Sequence, residues 1–74
     1  MKLIIENTSK IVELNGVQTR IWEGETSTGI KVHCYIARVS IQLTEAREAE
    51  FAKELIKVKA PSVEVQAIPL RLIL

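Results

Sequence analysis

Asn15-Gly16 stands between two runs rich in β-forming residues, Lys10-Ile11-Val12-Glu13-Leu14 before it and the segment from Val17 to about Glu25 after it. Asn and Gly adopt positive φ readily, as both central residues of a type I′ turn must, so the dipeptide predicts a tight hairpin. Counting outward from a two-residue loop sets Leu14 opposite Val17, Val12 opposite Thr19 and Lys10 opposite Ile21. A short first strand over Leu3-Ile4-Ile5 is expected ahead of it, set off by the turn-prone Glu6-Asn7-Thr8-Ser9.

Thr26-Ser27-Thr28-Gly29 reads as a second turn, followed by a third strand from Ile30 to Ile41. With Thr28-Gly29 at its tip, Ile21 faces Ile36, Trp22 faces Tyr35 and Glu23 faces Cys34. Val12, Ile21, Cys34 and Ile36 then share one sheet face, and Arg20, Trp22, Lys31, His33 and Tyr35 share the other. A slip of one residue exchanges His33 and Cys34 between faces. The same register lands Arg38 beside Val12 and Thr19, which implies a bulge near Gly24.

Thr44 has the chemistry of a helix N-cap. Glu45 and Glu48 follow in the first turn, and Lys53, Lys57 and Lys59 come late, each where the macrodipole favours its charge. Ala49, Ala52, Leu55 and Ile56, with Phe51 and Val58, form an apolar stripe at helical spacing, and Pro61 ends the helix. Val63, Val65 and Ala67 alternate with Glu64 and Gln66 as a half-buried strand would. Pro69 then marks an edge, bulge or break before Leu70-Arg71-Leu72-Ile73-Leu74. The expected architecture is one small soluble α+β domain over residues 1–74: an antiparallel β-meander, one amphipathic helix packed on a face, and a returning C-terminal strand.

Composition narrows the function more than it defines it. Ten basic and nine acidic side chains leave a net charge of +1, so no global field draws nucleic acid or an anionic membrane, and generic nucleic-acid binding is not expected. One cysteine, Cys34, and one histidine, His33, give neither a disulfide nor a zinc ligand set, so no metal and no cofactor is expected. The apolar Leu3-Ile4-Ile5 meets Glu6 at once and is too short for a signal core or membrane span, which points to the cytoplasm. There is no aspartate, no glycine-rich phosphate loop and no HExxH pattern. His33 and Cys34 are the only nucleophile and base pair, yet neighbours in a strand point to opposite faces and do not share a proton. No catalytic residue is assigned; an enzyme using Cys34 or His33 ranks third among the readings.

Two groups of residues carry the functional expectation. Arg20, Trp22, Lys31, His33 and Tyr35 form a candidate binding face, aromatic and basic, suited to stacking on a nucleobase and holding its phosphate. A structural alternative stands beside it, since aromatic cross-strand pairs stabilise sheets without any ligand. Ile68, Leu70, Leu72 and Leu74 belong to an apolar tail that one helix cannot cover along with the sheet, and they are candidate oligomer contacts. The leading reading is a non-enzymatic binding or assembly module, a homo-oligomer with a dimer as default, engaging a protein partner through an exposed sheet face or hairpin tip. The alternative is a small-molecule binder, of a nucleotide for example, with its site at a subunit junction.

The stretch Ile5-Glu6-Asn7-Thr8-Ser9-Lys10-Ile11-Val12-Glu13-Leu14-Asn15-Gly16-Val17, with Arg20-Ile21-Trp22-Glu23-Gly24, resembles the opening of short bacteriophage or prophage-encoded proteins of undefined role. The resemblance covers about the first half of the chain and transfers no site residue. It implies a small cytoplasmic accessory protein that binds a host or phage protein or holds a signalling nucleotide.

Overall fold

A computed structural model describes residues 1–74. The protein is α+β, with a four-stranded mixed sheet in the order β3-β2-β1-β4. Strands β1 (Leu3–Leu14), β2 (Val17–Thr26) and β3 (Lys31–Ile36) form an antiparallel meander; helices α1 (Glu48–Ile56) and α2 (Val63–Gln66) follow, and β4 (Arg71–Leu72) returns parallel to β1. No helix is long and apolar enough to cross a membrane.

The first hairpin matches its sequence signal. Asn15 and Gly16 have φ of 49° and 84°, and Leu14 pairs with Val17 and Val12 with Thr19. Beyond Ile11 the expected count fails. Pairing jumps from Ile11↔Arg20 to Asn7↔Trp22, so Ile21 faces the three residues Thr8-Ser9-Lys10 rather than Lys10 alone. The bulge lies in β1, not near Gly24, and it replaces the turn expected at Glu6–Ser9 with one continuous strand. Thr8 makes it tolerable: its buried hydroxyl donates to the Ile21 carbonyl at 2.7 Å and accepts from the Lys10 N–H, while Arg20 Nη1 donates to the Thr8 carbonyl at 2.8 Å. The Ile21 and Thr8 carbonyls and the Lys10 N–H, displaced from regular pairing by the bulge, are thus satisfied locally.

The second hairpin differs from expectation by one residue. Thr26 N–H donates to the Ile30 carbonyl, Ile30 N–H donates to the Thr26 hydroxyl, and Gly29 takes φ of 91°. The loop is therefore Ser27-Thr28-Gly29, a three-residue closure with Gly in the left-handed region. Ile21 pairs with Tyr35, Trp22 with Cys34 and Glu23 with His33, which replaces the expected Ile21–Ile36, Trp22–Tyr35 and Glu23–Cys34 partners. The strand also ends at Ile36 rather than Ile41, as the chain turns away toward α1.

Helix α1 begins at Glu48, not after Thr44. The Glu45 carboxylate accepts from the Arg47 N–H and its Nε, closing a local turn that holds the chain out of the helix until Arg47. It ends at Ile56, before Pro61, because Lys57–Lys59 extends to pair with β1: Ser9 N–H donates to the Lys59 carbonyl and Lys59 N–H to the Asn7 carbonyl. None of its residues is buried.

From Lys59 onward the chain runs parallel to the outer edge of β1, from Thr8 to Glu13 and Leu14. Five strand residues advance about 17 Å, whereas twelve residues separate Lys59 from Arg71. That is about 1.4 Å per residue, close to the rise of a helix. The surplus length explains why Val63–Gln66 is helical instead of the strand its alternation suggests. Ser62 caps it, accepting the Val65 N–H on its hydroxyl. Val65 turns inward and joins Val12 and Ile21 as the only fully covered apolar side chains, with Tyr35, Ile68 and Leu72 packed against them. The tail thus reaches an edge of the sheet and not its centre.

Candidate functional site

The hairpin register decides which candidate residues meet. Paired residues share a face, so Tyr35 lies beside Ile21, His33 beside Glu23 and Lys31 beside Glu25 on the side covered by α2. Arg20 and Trp22 lie on the opposite side with Ile36 and Cys34. The five residues Arg20, Trp22, Lys31, His33 and Tyr35 are therefore divided between two faces, and the aromatic pair is separated by the sheet. Cys34 and His33 are likewise on opposite faces. The tail divides too: Ile68 and Leu72 are half-buried against the core, while Leu70 and Leu74 are exposed.

On the Trp22 side a groove of about 460 Å³ runs between the sheet and the α1 end, walled by Ile36, Val39, Leu55 and Val58, with Arg20 and Arg38 at its polar margin. Asn7 Nδ2 donates to the Leu55 carbonyl and ties α1 to the strand. Leu55 was legible as part of an apolar stripe; Arg38 was not, since its position depends on where β3 stops.

On the α2 side Glu23, Lys31, His33, Lys59 and Ser62 line a polar hollow of about 470 Å³. Its organising contact is the Ser62 N–H, which donates to Glu23 Oε2 at 2.8 Å. That bond is the main cause of a Glu23 pKa below the usual 4.5; desolvation opposes it, and the Lys59 and His33 charges add smaller lowering effects. Lys31 Nζ reaches Glu25 at 3.1 Å across an exposed surface, a pair worth little in water. Ser62 and Lys59 escaped sequence reasoning because they come from a segment expected to be helix end and strand start. The one available signal was Ser62 followed by Glu64, an N-cap residue with an acid in the first turn. No group of three or more His, Cys, Asp or Glu is placed to hold a metal ion.

The Glu23–Ser62 bond predicts an acid dependence. Glu23 binds its proton less readily folded than unfolded, so its contribution is complete above about pH 4.5 and fades as pH falls through the depressed folded value. Urea unfolding of wild type and Glu23→Gln at a series of pH values is expected to differ by about 1 kcal/mol near pH 7, the usual charged hydrogen-bond value reduced for partial exposure. The two curves converge below the folded pKa.

The fold defines a small α+β protein built on an antiparallel meander with a parallel edge strand. Compared with protein families, curated proteins and solved structures, the chain matches none.

Proposed function

We propose that this protein is a non-enzymatic binding or assembly module that works as a homo-oligomer, with an exposed sheet face or hairpin tip left to engage a protein partner. The supporting observation is surface area. The protomer exposes 5830 Å², whereas a compact monomer of 8.3 kDa exposes about 4,600 Å². The excess of about 1,200 Å² exceeds the roughly 800 Å² each partner contributes to a standard interface. The radius of gyration, 13.4 Å, is likewise above the value of about 11 Å expected for this length.

The excess is apolar in character. Fifteen large hydrophobic side chains are exposed and three are buried, the inverse of what a self-sufficient core requires. Val17, Leu70, Ile73 and Leu74 gather near the first hairpin, where Leu74 N–H bonds the Asn15 side chain. Light scattering coupled to size exclusion at micromolar concentration is expected to give a multiple of the 8.3 kDa chain mass. A monodisperse single-chain mass would overturn the reading.

A further inference from the structure

We infer that two protomers join edge to edge through β3, antiparallel about a two-fold axis at His33, so that two four-stranded sheets become one continuous sheet. The inference rests on the homo-oligomeric reading and names its interface. Three observations carry it.

The first is an open edge. β3 is the outermost strand of the sheet, and its residues take no part in any backbone hydrogen bond outside the β2 ladder. Antiparallel residues alternate between bonding inward and bonding outward. The Thr26–Ile30 bond fixes the phase: even-numbered residues bond β2, so the N–H and C=O groups of Lys31, His33 and Tyr35 point away from it. Natural edges are usually blunted by proline, bulges, lysines or a covering element. β3 has no proline, its register is regular from Lys31 to Ile36, and its one lysine sits at its start.

The second is self-complementarity. A two-fold axis at His33 sets Lys31 opposite Tyr35 of the second copy and His33 opposite its counterpart, each pair exchanging two backbone bonds. It also sets Val32 opposite Cys34 of the second copy, and Ile30 opposite its Ile36. Ile30, Val32, Cys34 and Ile36 all lie on the Trp22 face, since their partners across the hairpin are Thr26, Gly24, Trp22 and Arg20. Every cross-strand pair on that face is apolar, and on the other face a Lys31 ammonium meets a Tyr35 ring. An isologous contact needs this match of one surface with itself. The third observation is the area surplus, which supports association between copies without locating it and is large enough to include such a contact.

Val32 and Cys34 of the second copy would form a non-hydrogen-bonded pair about 4.5 Å apart at Cα, within disulfide reach. Val32→Cys, which retains Cys34, should therefore convert almost fully to a disulfide-linked dimer when oxidised with copper phenanthroline, read on a non-reducing gel. The wild type should not, because the two native Cys34 residues lie diagonally. His33→Pro removes an outward N–H that β2 does not use, and is expected to yield a single-chain mass with unchanged circular dichroism. If that variant fails to fold, the cross-link alone decides. An oligomeric wild type with no Val32→Cys cross-link, or with Cys34 cross-linking by itself, overturns the His33-centred edge and leaves the homo-oligomeric reading standing. A monomeric wild type removes both.

Discussion

Gly24→Ala is expected to destabilise the protein by about 3 kcal/mol or more. A Cβ built at Gly24 would lie 2.0 Å from the Ile4 carbonyl oxygen and 2.8 Å from Ile5 Cα. Both atoms are backbone, so no side-chain rotation relieves the overlap, and β1 and β2 must separate along the pairs Ile4↔Glu25 and Ile5↔Gly24. Overpacking in a well-packed site usually costs about 1–3 kcal/mol, and a clash with backbone belongs at or beyond the upper end. A chain of this length holds about 4–11 kcal/mol in all. Urea unfolding followed by circular dichroism, at fixed protein concentration because self-association adds its own stabilisation, is expected to show a large drop in midpoint or a chain unfolded without denaturant. A Gly24→Ala variant as stable as wild type would mean that the strands do not approach so closely.

The same glycine illustrates what a linear reading conveys. Gly24 suggests a bulge because interior strand glycines often mark one, but they also mark close backbone approach, and here the second meaning applies. The bulge sits instead at Thr8–Lys10, where a threonine hydroxyl in a Glu-Asn-Thr-Ser string looks like turn chemistry until its partner, the Ile21 carbonyl, is known. Asn15-Gly16 was readable because both residues carry the conformational requirement themselves. The second turn was not, because its register hangs on which of three hydroxyls bonds the Ile30 N–H, and Thr26 rather than Thr28 does so. That one-residue difference separates Trp22 from Tyr35 and dissolves the candidate binding face as a single surface. Helix α2 was hidden for another reason: its conformation follows from the distance between two attachment points on β1, a non-local constraint that outweighs the β-propensity of Val63 and Val65.

Ile21→Ala is expected to lose about 3 kcal/mol, within the range for removing the bulk of a buried isoleucine. Ile21 is fully covered, one of three apolar side chains that are, and it connects the layers: it packs with Val12 of β1 and Val65 of α2, with Tyr35 of β3 beside it. Deleting three carbons there leaves each neighbour facing a void, and Val65 loses part of the only buried contact that holds α2 to the sheet. The Glu23–Ser62 bond and the Ser62 cap depend on α2 staying in place, so the loss extends beyond the transferred area. Ile56→Ala deletes the same atoms from a side chain 77% exposed, and alanine favours the helix, so its stability is expected to change by less than about 0.5 kcal/mol. Unfolding both variants in urea at one protein concentration separates the cases. Equal losses at the two positions would place as much of the stabilising contact on α1 as on Ile21, and α1 would then have to be covered in solution by something other than its own chain.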